Sequence, residues 1–316
     1  MTSRTPVRAR LSIASAAALA AVALVLAAGT ASAAGWVSRT SGTTGTPATP
    51  GVHRFDHVVI VIMENKNYNA IIGRPDEAPY INDTLARGGA VFTSSFAVTH
   101  PSQPNYLALF SGSTQRVTND SCPRNFKNVP NLGAELIRAG LRFTGYAETM
   151  PSAGYTGCDH GVPLFGYTRT HNPWVDFSNV PAASNLTFAS FPKDFARLPA
   201  VSIVVPNECH DMHSCPRDNG DRWIKANLGG YASWARSHNS LLIVTWDEDG
   251  TRLEIPLLGG GDGNKVPTIF YGAHVRTGSY GEHITHYSIL RTLEDMYGLA
   301  HAGASASAKP VTDVWQ

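Results

Sequence analysis

HVVIVIM, residues 57–63, is an almost unbroken apolar run that is rich in β-branched side chains. Such a run predicts a strand that is buried on both faces, as the strands of a parallel sheet are. Similar runs occur at VSIVV (201–205), SLLIVTW (240–246) and VPTIFY (266–271), and LRFTGYA (141–147) predicts a shorter strand. Several buried strands in one chain predict a large sheet that other elements cover on both sides.

Helical segments are predicted between these strands. They lie at residues 79–88, 104–111, 131–138, 221–237 and 286–297. Because strands and helices alternate along the chain, we predict an α/β fold, a three-layer α/β/α sandwich with a mostly parallel central sheet. A chain of 316 residues is ample for a buried core, and its apolar content of 43% excludes an intrinsically disordered protein.

Polar side chains follow three of the buried strands, at the point where each strand ends. They are Glu64 and Asn65 after the first strand, Asn207, Asp211 and His213 after the strand at 201–205, and Asp247 and Glu248 after the strand at 240–246. In open α/β sheets, ligands bind at the carboxyl ends of the strands. Crowded carboxylate and amide oxygens suit a divalent cation and are costly without one. The sequence therefore predicts a cation site at this edge.

A second, mixed nitrogen and oxygen site is expected from Asp211, His213 and His286. Two cations close together would hold the attacking and leaving oxygens of a phosphoryl transfer. His286 is also a plausible first residue of the helix at 286–297, with no ligand role.

The segment THPSQPNY, residues 99–106, contains a candidate nucleophile. Ser102 is expected just before a helix that Pro104 opens, where unpaired backbone amides favour an anion. A serine beside a bound metal could attack phosphorus. Alternatives stay open for both residues. Ser102 could instead be only an N-cap, and His100 could donate a proton, contact the phosphate or only pack the turn.

The N-terminus predicts a secretory signal peptide over residues 1–33. Three arginines precede an uncharged stretch rich in Ala and Leu, and a small-residue cleavage site ends at Ala33. An uncleaved segment that anchors the protein to the cell envelope is the alternative. Residues 34–53 are predicted to be a flexible lead-in, and residues 54–316 a catalytic domain.

Charge and cysteine content exclude several classes of protein. The formal charge of +1 becomes −2 once residues 1–33 are removed, so we expect no nucleic-acid partner, and we also expect no stable protein partner. In a secreted chain, four cysteines most simply form two disulfides, for which three pairings are possible. A zinc site built from Cys209, His210, His213 and Cys215 is the competing interpretation.

Five motifs, in the same order along the chain, resemble the phosphoesterase family of acid phosphatases and bacterial phospholipases C. They are DHVVIVIMEN (56–65), HPSQPNY (100–106) with SG (111–112), PN through DMH (206–213), TWDE (245–248) and HYS (286–288). The resemblance covers roughly residues 55–315 and implies an alkaline-phosphatase-like fold.

The resemblance also implies roles for individual residues. Ser102 would form a phosphoserine, beside a metal held by Glu64, Asn65, Asp247 and Glu248. Asp211, His213 and His286 would hold a second metal or contact the phosphate, His100 would assist catalysis, and Asn105 and Asn207 would bind substrate. A similar family member keeps counterparts of Cys122 and Cys158 only, which favours the pairs Cys122–Cys158 and Cys209–Cys215.

The expected activity is hydrolysis of phosphate monoesters, including phosphoinositides such as phosphatidylinositol 3-phosphate at a membrane surface. The long C-terminal extensions of the large phospholipases C have no counterpart here, which favours a monoesterase over a phospholipase C-type phosphodiesterase. A non-catalytic secreted binding protein on the same fold is a further alternative. The oxygen-rich ligand set casts doubt on zinc as the first metal and leaves calcium, magnesium, manganese or iron open.

Overall fold

The computed structural model describes residues 51–250 and 263–316. The predicted signal peptide (1–33) and most of the predicted lead-in (34–53) lie outside the described residues. The strands are β1 His57–Met63, β2 Ala90–Phe92, β3 Ser95–Phe96, β4 Phe143–Ala147, β5 Asp159–His160, β6 Tyr167–Thr168, β7 Asn185–Thr187, β8 Val201–Val205, β9 Ser240–Trp246, β10 Thr268–Gly272, β11 Gly278–Tyr280 and β12 Ile284–Thr285. The α-helices are α1 Tyr68–Ile71, α2 Ser102–Ser111, α3 Leu132–Arg138, α4 Arg217–Ala235 and α5 His286–Tyr297, and a π-helix spans Ile81–Ala86.

Eight strands form one central sheet in the order β11-β2-β10-β9-β1-β8-β4-β7. β1 lies between β8 and β9 and is parallel to both, with Val58 opposite Val201 on one side and Leu241 on the other. β10 alone runs antiparallel to its two neighbours in this sheet. The mostly parallel sheet predicted from the sequence is therefore confirmed.

Alternate residues of β1 face two separate hydrophobic clusters. Val58, Ile60 and Ile62 pack in a cluster with side chains of α2, α3 and α5. Val59 and Val61 pack in a second cluster with side chains of α4 and the π-helix. Helices thus cover both faces of the sheet, which explains why the strand sequence is apolar at successive positions rather than at alternate ones. The three-layer α/β/α prediction is confirmed.

The start of α2 differs from the prediction, and the difference matters for the site. The helix begins at Ser102 rather than at Pro104, and Pro101 occupies the N-cap position without a side-chain cap. Asp120, eighteen residues beyond Ser102, accepts a hydrogen bond of 2.8 Å from the backbone N–H of Gln103. This distant acid satisfies one of the free amides of the first turn. Ser102 is therefore not the N-cap, and its hydroxyl is available for other contacts.

The two disulfides implied by the resemblance are confirmed. Cys122 is bonded to Cys158, and Cys209 to Cys215. The alternative zinc site is thereby wrong, because two of its four ligands are joined to each other. Within residues 51–250 and 263–316, no helix is both long enough and apolar enough to cross a membrane.

Candidate active site

The hydroxyl of Ser102 lies at the centre of a group of acidic side chains. Its Oγ is 3.1 Å from Oε2 of Glu64, 3.1 Å from Oε1 of Glu248 and 3.5 Å from Oδ1 of Asn65. Ser102 opens α2, whereas Glu64 and Glu248 follow β1 and β9. The first turn of one buried helix and the ends of two adjacent strands therefore meet at this oxygen.

Backbone pairing at the strand ends brings four carboxylates together. The amide of Glu64 donates to the carbonyl of Asp211 at 2.8 Å, and that of Asp247 to the carbonyl of Met63 at 3.0 Å. The amide of Asn65 donates to Oδ1 of Asp247 at 3.0 Å. Glu64, Asp211, Asp247 and Glu248 are all buried, with at most 4% of each residue exposed. The parallel sheet thus concentrates negative charge at its carboxyl edge.

Burial and mutual repulsion raise the pKa values of three of these acids, Glu64, Asp211 and Asp247. For Glu64 the largest cause is burial, followed by repulsion from Asp247 and Asp211, and its pKa lies well above the ordinary value. Burial likewise raises the pKa of Asp211, and burial with repulsion from Glu248 raises that of Asp247 to about 7. Without a counter-ion, the cluster can be ionised only at a large energetic cost.

The acid cluster fits a bound divalent cation. Oδ2 of Asp211 and Oδ2 of Asp247 are buried and accept no hydrogen bond within the described residues. Buried polar atoms normally have partners, and bare carboxylate oxygens are ligands for hard cations. A cation would provide both the missing partner and the missing positive charge.

His171 belongs to this cluster, although the sequence analysis did not select it. It ends a short 3₁₀ helix, Arg169–His171. Its Nε2 is 3.4 Å from Oε1 of Glu64 and its Nδ1 is 3.8 Å from Oδ2 of Asp211. One potential ligand atom from each of these three residues lies within 4.8 Å of the others. Burial, together with the nearby His213, lowers the pKa of His171 to about 3, so the ring is neutral and able to bind a metal.

Tyr106 supports the same corner of the site from α2. Its hydroxyl donates a hydrogen bond to Oε1 of Glu64. Its ring stacks on His171, with 5.0 Å between ring centres and an interplanar angle of 8°. Tyr106 therefore fixes the positions of both Glu64 and His171.

His286 is the first residue of α5 and lies against the end of β9. Its Nε2 is 3.0 Å from the carbonyl oxygen of Trp246. Since a carbonyl only accepts, Nε2 carries the proton and Nδ1 keeps its lone pair. That Nδ1 is buried and has no hydrogen bond within the described part of the chain. Burial lowers the pKa of His286 to about 4.

His100 and His213 lie at the more open side of the site. Nδ1 of His100 is 2.5 Å from Oε2 of Glu248, and its Nε2 is 3.8 Å from Oδ1 of Asp249. His213 donates its backbone N–H to Oδ1 of Asp211 at 2.7 Å, and its exposed ring contacts Ser214. His100 is thus joined directly to the acid cluster, whereas the backbone of His213 orients one of its members.

The side chains of Asn105 and Asn207 are engaged in holding loops. Asn105 is buried, accepts from the amides of Val98 and Thr99, and donates to two carbonyls of the segment before Ser102. Oδ1 of Asn207 accepts from the amides of Cys209 and His210, and its Nδ2 contacts Thr149. Through these contacts both asparagines hold the two loops in place, and their role in substrate binding stays a prediction.

A cavity of about 330 Å³ opens from Ser102 to the surface. Its lining consists of polar and acidic residues together with the Cys122–Cys158 disulfide: Asn65, Ser102, Asp120, Asp159, Thr168, Thr170, His171, Glu208, His213 and Glu248. Within residues 51–250 and 263–316, the lining contains acids and histidines but no lysine or arginine. An anionic group that enters this cavity therefore meets a negative field unless a cation is present.

Comparisons with known proteins agree with this architecture. A model of the phosphoesterase family matches residues 74–300. The chain is 49% identical over 263 residues to the phosphatidylinositol-3-phosphatase of Mycobacterium tuberculosis, which covers 83% of each chain. It is 28% identical to an acid phosphatase of Aspergillus fumigatus over 69% of this chain and 51% of that protein.

Solved structures show the same fold at low sequence identity. A protein of the alkaline phosphatase superfamily from Vibrio parahaemolyticus superposes with a TM-score of 0.57 and 13% identity, over 85% of this chain and 76% of that one. The C-terminal periplasmic domain of EcEptC from Escherichia coli, in complex with Zn, gives a TM-score of 0.52 and 11% identity, over 84% and 88% of the two chains.

Proposed function

Because the chain belongs to the phosphoesterase family, we propose that it is a metal-dependent phosphatase that hydrolyses phosphate monoesters with Ser102 as its nucleophile. The observation that carries this proposal is the position of Ser102 Oγ, 3.1 Å from each of two buried carboxylates and open to the cavity. A serine with only a structural role would not need a hydroxyl in contact with two buried acids at the wall of a cavity.

The chain offers two adjoining ligand sets. Glu64, His171 and Asp211 form one set. The other set is Asn65 and Glu248, which contact the serine hydroxyl, with Asp247, which accepts from the amide of Asn65. A divalent cation would lower the pKa of the serine hydroxyl and balance the charge on the phosphate oxygens. Calcium, magnesium, manganese, iron and zinc all remain candidates for the metal, and His286 with its bare Nδ1 is a further candidate ligand.

The residues of the chain account for the remaining chemistry. In the first step the Oγ of Ser102 forms a bond to phosphorus, and the bond from phosphorus to the alcohol oxygen breaks. The serine proton passes to a carboxylate that already accepts its hydrogen bond, Glu64 or Glu248. His100, hydrogen-bonded to Glu248, is placed to give a proton to the departing alcohol. Water then cleaves the phosphoserine and releases phosphate.

We propose a phosphoinositide, phosphatidylinositol 3-phosphate, as a substrate. The support is the 49% identity to a protein named for that activity, over 83% of its length. The chain spans only about half of the Aspergillus fumigatus acid phosphatase, and that relative supports phosphatase chemistry alone. The two disulfides indicate an extracellular or otherwise oxidising location, and we propose secretion directed by residues 1–33.

Turnover of a soluble aryl phosphate tests the proposal. We expect activity in the presence of a divalent cation, none after chelation, and a loss of at least about 10³-fold in Ser102→Ala. Ser113→Ala is the matched control, because Ser113 lies just beyond the end of α2 and outside the cavity lining. Undiminished activity after both chelation and Ser102→Ala would contradict the proposal. Faster turnover of a choline phosphodiester than of the monoester would favour the phospholipase C-type alternative.

A further inference from the structure

Three of the four exposed large apolar side chains in the described residues lie in one short loop. They are Val162, Leu164 and Phe165, with 63%, 51% and 48% of their surface exposed; the fourth, Ile137, lies on α3 with 38% exposed. Single exposed apolar side chains are ordinary, but three within four positions form a patch. We call residues 161–166 the hairpin tip, because they connect β5 to β6.

The hairpin tip lies beside the mouth of the catalytic cavity. β5 and β6 pair antiparallel, with Asp159 opposite Thr168, and both of these residues line the cavity. The amide of Glu208, another lining residue, donates to the carbonyl of Gly166 at 3.3 Å. A surface that contacts the tip would therefore be next to the opening through which a substrate reaches Ser102.

The base of the hairpin is held firmly. Cys158, directly before β5, is bonded to Cys122. Arg169, directly after β6, forms a buried ion pair with Asp176 at 2.9 Å, and its amide donates to the carbonyl of Cys158 at 2.7 Å. The tip is thus an apolar projection on a fixed base.

The backbone of the tip carries a cost that packing does not offset. Leu164 adopts a φ of +75°, in the left-handed region that side chains other than glycine, asparagine and aspartate rarely occupy. Its side chain is half exposed, so it gains little from burial in this conformation. Unfavourable features of this kind are concentrated at functional sites.

We propose that the hairpin tip inserts into the surface of a lipid bilayer and brings the cavity to phosphate groups on lipids. This inference rests on the proposed phosphatase function and adds the surface that brings the site to a substrate embedded in a membrane. The three side chains present on the order of 300 Å², well below the surface that one partner contributes to a specific protein interface. That area is sufficient for a peripheral apolar anchor. Since Asp159 and Glu208 flank the tip, attraction to anionic lipid does not drive the contact.

A kinetic comparison provides the first test. Wild type, Val162→Ser/Leu164→Ser/Phe165→Ser and the control Ile137→Ser are assayed on phosphatidylinositol 3-phosphate in phosphatidylcholine vesicles and on a soluble aryl phosphate. The triple variant should lose at least about tenfold in kcat/KM on vesicles and keep its aryl phosphatase activity. The control should keep both activities. An unchanged kcat/KM of the triple variant on the lipid in vesicles, or an equal loss of kcat/KM on both substrates, would overturn the proposal.

A binding measurement separates failure of docking from failure of the proposed chemistry. The full-length variants Phe165→Trp and Ile137→Trp are mixed with phosphatidylcholine vesicles that contain brominated acyl chains, which quench a tryptophan inserted among them. We expect stronger quenching for Phe165→Trp than for Ile137→Trp, even without any phosphorylated lipid. Equal quenching of the two variants, or no quenching, would overturn membrane docking. A tip that binds a protein partner instead of lipid would give this result. If the wild type hydrolyses neither phosphate ester, the proposed phosphatase function is refuted. The quenching measurement still tests whether the hairpin tip inserts into the bilayer.

Discussion

Replacing Asp247 with asparagine should stabilise the metal-free protein above neutral pH and destabilise the metal-loaded protein. Asparagine has nearly the same shape, and its carbonyl can keep the hydrogen bond from the amide of Asn65. The substitution puts an NH₂ group in place of one carboxylate oxygen. The oxygen that is replaced, Oδ2 of Asp247, has no hydrogen bond within residues 51–250 and 263–316. The change therefore removes charge at little cost in packing.

The magnitude follows from the pKa of Asp247. Burial and Glu248 raise this pKa from 3.8 to about 7 in the folded protein, and each tenfold change in proton affinity corresponds to about 1.4 kcal/mol. The folded protein binds the extra proton between these two values, so the free energy of unfolding falls as the pH rises from about 4 to about 7. Above that range the ionised side chain costs roughly 4 kcal/mol, and Asp247→Asn should recover much of it.

Urea unfolding monitored by tryptophan fluorescence measures this effect. After chelation, the variant and the wild type should be similar near pH 4, and the variant should be more stable above pH 7 by up to about 4 kcal/mol. Saturating divalent cation should reverse the order, because a ligand that binds only the folded state stabilises it. Asp83→Asn, at an exposed acid on the π-helix, should show neither effect. A difference between variant and wild type that is the same at all pH values, or that metal does not reverse, would refute the account of the acid cluster.

Three further predictions follow from individual contacts. His171→Ala should raise the metal concentration needed for half-maximal aryl phosphatase activity by at least about tenfold, whereas an unchanged metal dependence would exclude His171 as a ligand. Cys209→Ser with Cys215→Ser should lower the free energy of unfolding by about 2 kcal/mol, as expected for a short closed loop and measurable by urea titration. Gly145→Ala should lower the free energy of unfolding by about 1–3 kcal/mol, because an added Cβ would lie 2.1 Å from the ring of Trp174. An unchanged melting temperature in thermal denaturation would show that the ring can move aside.

The sequence was sufficient to predict the sheet and much of the acid cluster. The apolar runs at 57–63, 201–205 and 240–246 match β1, β8 and β9, because strands buried on both faces need apolar side chains at nearly every position. Parallel strands end at one edge of the sheet, so the acids that follow them had to lie close together. Glu64, which directly follows β1, could be assigned to the cluster on that basis.

Other parts of the site depend on contacts that leave no local pattern. His171 lies in a short 3₁₀ helix among irregular segments, and the Arg169 side chain holds that region through an ion pair with Asp176. The early start of α2 depends on Asp120, which approaches from a different part of the chain. Tyr106 lies within a recognised motif, but its contacts with the acid cluster arise only when α2 packs against β1. Contacts between segments that are distant in sequence therefore supply the parts of the site that do not follow a strand.

The central claim is that Ser102 is the nucleophile of a phosphatase, and covalent trapping tests it most directly. The metal-loaded protein is mixed with an aryl phosphate, quenched in acid during turnover, digested and examined by mass spectrometry. The account predicts one phosphoryl group on Ser102, and none on that peptide in Ser102→Ala or after chelation. Steady turnover with no phosphoryl group on Ser102 at any quench time or pH, or with the group on another residue, would contradict it.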